Sequence, residues 1–596
     1  MATKILSEEG PLIPETFHED ILQIDLEWTN IEVTYKTKTS SKTILKGMSG
    51  YVQAGEFLAI MGTSGAGKTT LMNFISGATK SSPTLSSTGS ILANGQDINS
   101  INYYKYVGYV TQEDVLLDML TVRESVIFAA RLKTTGSFEQ KINKVDALLA
   151  ELGLVKCQHT LVGNPVRKGI SGGEKKRTCV AIELITTPSI LFLDEPTSGL
   201  DSFTSYQVIE LLNAQAAKGR TVVSTLHQPS SDIYMKFDKL LLLCDGHVMY
   251  NGPASKAVDY FAKRNFVCPA LSNPADYFME LLHIENLDQK TPEEEEKVNF
   301  LCRSYKESSN TLKDPRNTIL EGGGGGYISS YPVQLYHCTV RAIKITVRNP
   351  KLTVFKLAIL LFVALLMNIL FWDIGDSDKP EANNNRNGSL FFILTTLVYS
   401  NLNVTILNFP LIRQVFLKES RSKMYGTTAF FLSKNIADCL IEVVSSIIFG
   451  LSVYWCVGYN NESAERPIMF LIILILAHMC GTSLGLVAGA WFTRVDVASS
   501  LGAIMTLPFY YFSGFLRPED QIWIGLRWFS YFSPFRYSFY ALMLNEYKGK
   551  SGGSKVLKLY AIEGTAGEMT AYLLLIMIAY RVLAFVGLKY NSRIGS

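Results

Sequence analysis

Long apolar runs follow one another from about residue 350 onward, and they constrain the fold of this chain more than any other feature. Two of the clearest are Leu357–Trp372 and Ile468–Ala477. A helix that crosses a bilayer needs about 20 predominantly apolar residues. Because these runs are too long and too consecutive for a soluble core, we predict an all-α transmembrane domain over residues 353–596. Six spans are expected, near residues 354–373, 389–411, 435–457, 468–491, 497–516 and 570–589.

The residues before this region have a different pattern. Between residues 21 and 283, short β-rich runs such as Phe57–Met61, Ile190–Leu193 and Thr221–Thr225 alternate with helical stretches. This alternation is typical of an α/β fold with a largely parallel sheet. Charged residues make up 18% of the 596 residues, and the net charge is +3. Since no basic stripe with interleaved aromatics occurs, we expect no nucleic-acid partner.

Three further segments flank or separate these two domains. Residues 1–20 are expected to form a polar tail, and residues 331–352 an amphipathic connecting helix. Residues 284–330 contain the acidic run Glu293–Glu296 and five consecutive glycines, Gly322–Gly326. Such a composition is typical of a solvated, flexible linker, which we favour over a binding tail.

The distribution of positive charge predicts an orientation in the membrane. Lys and Arg residues cluster before the first span, between the second and third spans, and after the last span. Cytoplasmic loops carry such an excess, and the N-terminus has no apolar signal-peptide core. We therefore expect the N-terminal domain in the cytosol, at the plasma membrane or at the membrane of an intracellular vesicle.

A phosphate-binding loop is predicted directly after the apolar run Phe57–Met61. The sequence there fits G-x-x-x-x-G-K-[ST] and precedes a helical stretch, which is the strand–loop–helix context that the motif requires. Backbone N–H groups and the helix N-terminus would surround the phosphates, with Lys68 on the β- and γ-phosphates and Thr69 on Mg²⁺. The residues expected to bind the nucleotide are Gly62, Thr63, Ser64, Gly65, Ala66, Gly67, Lys68, Thr69 and Thr70.

Two carboxylates end the apolar run Ile190–Leu193. An acidic residue at the carboxyl end of a parallel strand lies beside the phosphate loop. We expect Asp194 to hold Mg²⁺ and Glu195 to orient or deprotonate the attacking water. The alternative, a strand that ends in a solvated acidic turn, is less favoured in a chain that also carries a P-loop.

A second anion-binding device is expected at Ser171-Gly172-Gly173, which opens a helix and continues into Glu174. In one order, the chain carries the P-loop, Gln112, this Ser-Gly-Gly-Glu run, the segment Asp194–Asp201 and His227. This set resembles the ATPase of ABC transporters over about residues 25–285. Finer detail, such as the Glu after the two glycines and His227-Gln228-Pro229-Ser230, is similar to the half-transporters of subfamily G, and the likeness continues through the membrane half.

The resemblance implies roles for residues outside the P-loop. Gln112 would contact Mg²⁺ beside Thr69 and Asp194, and would couple the nucleotide to the membrane half. Ser171 and Gly173, with Gly172 between them, would contact the γ-phosphate of ATP bound to the other subunit. Asp201 would lie at the dimer seam, and His227 would contact the γ-phosphate and hold the water geometry. ATP and Mg²⁺ are the implied cofactors.

A single copy of the P-loop and of the Ser-Gly-Gly run occurs in the chain, with no internal repeat of either. In the ABC arrangement each ATP lies between the P-loop of one domain and the Ser-Gly-Gly helix of another. We therefore expect a dimer, either of two copies of this chain, with C₂ symmetry, or of this chain with a related half-transporter. Residues 331–348 and the loop 413–425 would carry motion to the spans.

The membrane half offers candidates for contact with cargo, by resemblance to the central cavity of subfamily G. Aromatic walls suit flat apolar molecules, although each of these side chains has the alternative of facing lipid or packing between helices. Phe515-Leu516 aligns with an apolar plug that often has two leucines, so Phe515 is a departure. The candidate substrate residues are Thr396, Tyr399, Asn403, Phe509, Tyr510, Phe515 and Leu516.

Three ionisable residues on one helical face are a separate feature of the third span. Lys434, Asp438 and Glu442 are spaced i, i+4, i+8. They are interpreted either as a polar relay that faces the dimer interior or as an ion pair near the cytoplasmic end, and the sequence leaves both open.

The function predicted from these features is ATP-driven export of a lipophilic molecule, such as a sterol, lipid, pigment precursor or xenobiotic. An ATP-gated channel or regulator with the same ATPase is the alternative, and flux against a gradient separates the two. A soluble ABC ATPase is disfavoured by the six expected spans.

Overall fold

The computed structural model describes residues 21–36, 40–78, 85–164, 167–284, 291–308, 316, 318–322, 326–372, 374, 380–492 and 494–594. The expected polar tail, residues 1–20, lies outside the described residues. The chain divides into two compact units. The first comprises the residues up to Ser330 together with Arg421–Met424, and the second comprises Tyr331–Ser420 and Tyr425–Gly595.

Two β-sheets organise the first unit. A four-stranded antiparallel sheet has the order β2-β1-β4-β5, and a six-stranded sheet has the order β10-β9-β3-β8-β7-β6. In the second sheet all neighbours are parallel except β10 and β9, which confirms the predicted α/β fold. The strands are β1 Leu26–Lys36, β2 Ser41–Val52, β3 Phe57–Gly62, β4 Leu85–Ala93, β5 Gln96–Asp97, β6 Val107–Val110, β7 Ile190–Asp194, β8 Thr221–Thr225, β9 Lys239–Cys244 and β10 His247–Pro253.

Reciprocal capping boxes begin several helices of the first unit. Thr121, Ser137 and Ser171 each form a reciprocal capping box with the Glu or Gln three residues later, which satisfies two backbone N–H groups that a helix start leaves unpaired. The helices are α1 Lys68–Ile75, α2 Val122–Lys133, α3 Phe138–Glu151, α4 Gly172–Leu184, α5 Ser202–Ala217, α6 Ser231–Tyr234, α7 Ala257–Ala262, α8 Pro274–Leu281 and α9 Pro292–Ser308.

The segment expected to be a flexible linker, residues 284–330, is partly ordered. The acidic run forms the first turn of α9, where carboxylates are favoured by the helix dipole. Further along, Leu320 is 3% exposed within the core of the first unit, and Gly322 forms a β-bridge with Ile101. The prediction of a flexible linker was therefore wrong for these residues, although the acidic run is largely exposed. Residues 323–325 of the glycine run lie outside the described residues.

The turn Arg421–Met424 also belongs to the first unit. The Ser422 hydroxyl donates to Glu183 Oε1 over 3.2 Å, and the Lys423 ammonium lies 4.2 Å from the centre of the Tyr104 ring. Glu183 also forms a 3.1 Å ion pair with Lys133. This turn is thus held by side chains of the α/β unit, although it lies far from them in sequence.

Helices make up the second unit. Leu360, Phe391, Phe449, Phe470 and Phe539 lie in one apolar cluster that joins several of them. The helices are α10 Tyr331–Val347, α11 Pro350–Leu370, α12 Pro380–Arg421, α13 Thr427–Val457, α14 Glu465–Trp491, α15 Val495–Tyr511, α16 Pro534–Tyr547, α17 Gly553–Leu559 and α18 Ala566–Ile594.

Each of the six predicted spans coincides with an apolar helix. Four of the described helices are long and apolar enough to cross a membrane: α12, α13, α14 and α18. The other two, α11 and α15, are shorter: the apolar stretch of α11 covers Val354–Leu370, and α15 has 17 residues. The count of six spans stays a prediction. Helices α12 and α18 extend past both predicted bounds, because polar residues continue a helix beyond its apolar stretch, whereas α11 and α15 end before the predicted C-terminal bounds.

The predicted connecting helix over 331–352 ends earlier, at Val347, and Pro350 begins α11. Its buried side chains are partly polar: Gln334, Cys338 and Arg341. The Arg341 guanidinium donates to Glu419 Oε1 and Oε2 over 2.6 and 2.8 Å. Bidentate pairs of this kind are among the stronger ion pairs. Helix α10 is therefore fixed to the end of α12 by charge.

A second buried ion pair connects α12 to α16. Arg386 Nε lies 3.2 Å from Glu546 Oε1, and both side chains are at most 3% exposed. The same carboxylate accepts the backbone N–H of Asn460 over 2.8 Å. Glu546 thus joins α12, α16 and the turn between α13 and α14.

Candidate nucleotide site

The P-loop forms between β3 and α1, as the sequence predicts. The six residues of β3 are buried, and α1 begins at Lys68 with Gly67 as its N-cap. Gly67 has a φ of +97°, and a Cβ there would lie 2.6 Å from Leu45, so the position requires glycine. Lys68 Nζ donates to the carbonyls of Gly62 and Thr63 over 2.7 and 3.0 Å.

Lys68 is only 7% exposed. Burial lowers the pKa of its ammonium, and the nearby carboxylates of Glu195 and Asp194 act in the opposite direction. Within the described residues the ammonium donates hydrogen bonds to loop carbonyls alone, in a position where phosphate oxygens would give it a compensating negative charge.

Asp194 and Thr69 lie together at the end of β7. Thr69 Oγ1 donates to Asp194 Oδ1 over 3.3 Å, and Asp194 is 6% exposed. A hydroxyl and a carboxylate are hard oxygen donors of the kind that Mg²⁺ accepts beside nucleotide phosphates. The two residues predicted to hold the metal therefore form a suitable pair of donors.

Glu195 follows Asp194 with a φ of +42°, which is uncommon for a residue with a side chain. Its Oε2 accepts a hydrogen bond from Gln112 Nε2 over 2.8 Å. Its backbone N–H donates to Thr225 Oγ1 over 2.9 Å. The structure thus brings Gln112, after β6, and Glu195, after β7, to one edge of the parallel sheet.

Ser171 is the N-cap of α4 and lies at the surface. Its N–H and its hydroxyl both donate to Glu174 Oε2, over 2.8 and 2.9 Å. Gly173 is buried, and a Cβ at this position would lie 2.1 Å from Thr204 Cγ2. Ser171 and Gly172 therefore present an exposed helix N-terminus, and Gly173 lets α4 lie close to α5.

Asp201 and His227 are exposed as well. Asp201 caps α5 by accepting from the N–H and hydroxyl of Thr204, and His227 follows β8. Within the described part of the chain, the hydrogen bonds do not join Ser171, Asp201 or His227 to the P-loop. The predicted site residues thus fall into one group at the P-loop and at the ends of β6 and β7, and a separate exposed group.

Lys176 is a residue of this site that the sequence analysis did not single out. It is 1% exposed, forms a 2.8 Å ion pair with Asp114 and donates to the carbonyl of Gln112 over 2.9 Å. It therefore fixes the segment that carries Gln112 to α4. In the sequence, Lys176 is one of several charged residues that follow Ser171. Such charged residues are ordinarily solvated, so the sequence does not single out this lysine.

The candidate substrate residues pack mostly within their own unit. Tyr399 lies 5.9 Å from Phe535, Phe509 lies 6.1 Å from Tyr580, and Tyr510 lies 5.1 Å from Phe391, measured between ring centres. Thr396 is half-buried, and Asn403, which donates to the Tyr399 carbonyl, is exposed.

Phe515 stacks on Phe391 at 4.3 Å and lies edge-on to Phe539. The next residue, Leu516, is 49% exposed. The two residues of the predicted plug thus have different surroundings, because the aromatic ring of Phe515 packs into its own subunit.

The ionisable face of α13 divides into two parts. Lys434 and Asp438 form an ion pair, as the second interpretation expected. Glu442 is 2% exposed and accepts a hydrogen bond from Thr482 of α14. It is therefore separate from that pair in its hydrogen bonding.

Replacing Glu174 with alanine removes the reciprocal half of the cap at α4. We expect the free energy of unfolding to fall by about 1 kcal/mol, measured by chemical denaturation of the purified protein. Glu174→Gln is the control, because glutamine accepts the same bonds from Ser171. Equal stability of the alanine variant and the wild type would contradict this role.

Comparison with known proteins agrees with this geometry. The family model described as "ABC transporter" matches residues 45–198, and models described as "ABC-2 type transporter" match residues 333–547 and 227–306. Protein white of Drosophila melanogaster is 31% identical over 587 residues, which cover 93% of this chain and 84% of that protein. ABC transporter G family member 14 of Arabidopsis thaliana is 34% identical, with 89% and 82% covered.

This chain belongs to subfamily G of the ABC transporters. Another relative, the broad substrate specificity ATP-binding cassette transporter ABCG2 of Sus scrofa, is 33% identical, with 86% of this chain and 82% of that protein covered. Like other subfamily G half-transporters, this ABC transporter has one nucleotide-binding ATPase domain followed by one multi-pass membrane domain. It is an ATPase that drives transport across a membrane.

Proposed function

We propose that this half-transporter dimerises, binds two ATP molecules with Mg²⁺ between its ATPase domains, and exports a lipophilic molecule. The observation that carries the proposal is the separation of the site residues into two groups. Thr69, Asp194 and Glu195 are linked by hydrogen bonds that pass through a buried hydroxyl of β8. Among the described residues, Ser171 and Asp201 are exposed and bond to residues of their own helix starts. A second copy or a related half-transporter would supply the missing contacts.

Hydrolysis is assigned to Glu195 and His227. Glu195 would orient or deprotonate the attacking water, and His227 would hold the γ-phosphate and the water. Thr69, Asp194 and Gln112 would hold Mg²⁺, which supplies charge stabilisation at the β- and γ-phosphates when bound. The 2.8 Å hydrogen bond from Gln112 Nε2 to Glu195 Oε2 supports the proposal that both residues respond to one nucleotide.

Coupling would follow from population shift, because ATP that contacts both subunits binds the closed domain pair better than the open pair. Lys176 supports this step, since it joins the Gln112 segment to α4. Loss of the γ-phosphate after hydrolysis would remove the contacts that hold α4 of the partner.

The cargo is proposed to be flat and lipophilic. The support is the group of half-buried aromatic side chains on α12 and α15, which includes Tyr399, Phe509 and Tyr510. Aromatic linings with few polar groups suit such molecules. ATPase stimulation of the protein in nanodiscs, across a panel of sterols, lipids and dyes, would identify the class. We also propose that the ATPase domain lies in the cytosol, where ATP is abundant.

Dimerisation of the ATP sites is tested by mixing two inactive variants. Lys68→Met removes the phosphate contact of its own P-loop, and Ser171→Arg blocks the surface offered to the partner. Each variant alone is expected to lack ATPase activity. Co-expressed chains with two different affinity tags, purified through both tags, should recover activity, because a mixed dimer retains one intact composite site.

About half of the wild-type rate per purified mixed dimer is the upper expectation. Mixing the Lys68→Met chain with a chain that carries both substitutions is the control, and it should stay inactive. If the mixed dimers of the single variants also stay inactive although both chains are present in equal amounts, the composite-site proposal fails.

A further inference from the structure

A buried hydroxyl connects the two carboxylates of the site. Thr225 is the last residue of β8, and it lies opposite Asp194 in the parallel pairing of β7 and β8. It is 0% exposed. Its hydroxyl donates to Asp194 Oδ1 over 2.6 Å and accepts the backbone N–H of Glu195 over 2.9 Å. One oxygen atom thus contacts both residues of the acidic pair.

The geometry points to Thr225 as a positioning residue for ATP hydrolysis, one that sets the peptide of Glu195 and the carboxylate of Asp194 relative to each other. This inference rests on the proposed roles of those two carboxylates. Thr225 touches neither the nucleotide nor the metal in the proposed mechanism, so it acts only through its neighbours.

The conformation of Glu195 is the first reason for this role. Its φ of +42° lies in the left-handed region, which side chains other than glycine adopt only when surrounding contacts hold them there. The bond from the Glu195 N–H to Thr225 is such a contact. Without it, the peptide is free to return toward an ordinary conformation, and the carboxylate would turn away from the water that it must orient.

The shared oxygen of Asp194 is the second reason. Asp194 Oδ1 accepts from Thr225 on one side and from Thr69 on the other. Thr225 therefore completes a chain of contacts that runs from the proposed Mg²⁺ ligand Thr69, through Asp194, to the backbone of Glu195. Outer contacts of this kind fix the orientation of metal-ligating carboxylates.

Thr225→Val tests the inference, because valine keeps the shape of threonine and removes only the hydroxyl. We expect kcat for ATP hydrolysis to fall by about 10- to 100-fold, and the Mg²⁺ concentration for half-maximal activity to rise several-fold. The KM for ATP should change by less than about twofold, since the P-loop contacts remain. Thr225→Ser, which restores the hydroxyl, should recover most of the activity and the Mg²⁺ dependence of the wild type.

Thr221 offers a matched control on the same strand. It is also 0% exposed, and its hydroxyl donates to the Ile24 carbonyl over 2.5 Å, away from the acidic pair. Thr221→Val should leave kcat and the Mg²⁺ dependence unchanged. An equal loss of activity in Thr221→Val would show that any buried hydroxyl of β8 matters for folding alone, and would overturn the inference.

Glu195→Gln in the same assay separates this inference from the proposed function. If Glu195→Gln loses turnover while Thr225→Val keeps the wild-type kcat, the role of Thr225 is wrong and the site assignment stands. If Glu195→Gln keeps turnover, the site assignment itself fails. A Thr225→Ser variant as impaired as Thr225→Val also overturns the inference, and this outcome is accessible even if valine prevents folding.

Discussion

Replacing Glu195 with glutamine is expected to lower the steady-state ATPase rate by about 10²- to 10⁴-fold while ATP binding is retained. Glutamine has the same shape, and its amide oxygen can accept the hydrogen bond that Gln112 Nε2 now donates to Glu195 Oε2. The backbone bond to Thr225 is also unaffected. The change therefore removes the negative charge that would orient or deprotonate water, with little change to the structure around it.

The measurement is phosphate release by the purified protein in nanodiscs, together with equilibrium binding of ATP in the presence of Mg²⁺. Glu210→Gln is the control, since Glu210 is an exposed carboxylate of α5 in the same unit. A Glu195→Gln protein that turns over ATP near the wild-type rate would remove the basis for the catalytic assignment. A protein that also loses ATP binding would indicate a structural role instead.

Arg386→Met is expected to destabilise the membrane unit by about 3–5 kcal/mol, because it removes one partner of a buried ion pair. The substitution leaves the Glu546 carboxylate, which is 3% exposed, without its cationic partner. An unpaired buried charge costs far more than the pair contributes. Because Glu546 also holds the turn at Asn460, the effect should extend to the α13–α14 connection.

The purified protein can report this loss through its own thiols. Cys338 and Cys480 are buried in the membrane unit, so a thiol-reactive dye gives a signal when their thiols become exposed on heating. We expect the midpoint temperature to fall by on the order of 10 °C. The double variant Arg386→Met/Glu546→Gln should regain part of the loss, because it removes the unpaired charge.

Arg494→Met provides the surface counterpart of this experiment. Arg494 forms a 2.6 Å ion pair with Asp496, but these side chains are 75% and 62% exposed. Exposed pairs contribute little to stability, so the midpoint should hardly move. Similar shifts for Arg386→Met and Arg494→Met would argue against a special role of the buried pair.

The sequence predicted the parts of the nucleotide site that depend on local pattern. Gly67 and Lys68 lie in a loop whose conformation is dictated by glycine spacing between a strand and a helix, so their arrangement followed from the chain alone. The same holds for Ser171, whose partner Glu174 is three residues away. Asp194 lies beside Thr69 because the parallel sheet brings the carboxyl ends of its strands to one edge.

Residues whose role depends on distant partners could not be found in this way. Thr225 is an ordinary β-former in a buried strand, and the register of β7 against β8 is what brings it to Asp194. The sequence pattern around Lys176 is typical of a solvated helix start, and only the folded position of α4 brings this lysine next to Asp114. The acidic start of α9 was predicted to be linker, because runs of acidic residues are common both in linkers and in the first turns of helices. Packing of α9 against the α/β core decides between the two, and the sequence does not show that packing.

The return of the chain to the first unit at Arg421–Met424 has a practical consequence for biochemical work. A recombinant polypeptide that stops at Ser330 would lack the Ser422 hydroxyl that donates to Glu183 and the Lys423 ammonium over Tyr104. Studies of such a truncated ATPase domain would therefore examine a surface with a four-residue gap, beside a glutamate that keeps its ion pair with Lys133 but lacks the Ser422 hydroxyl. Supplying the missing turn as a fused peptide is a direct way to close that gap.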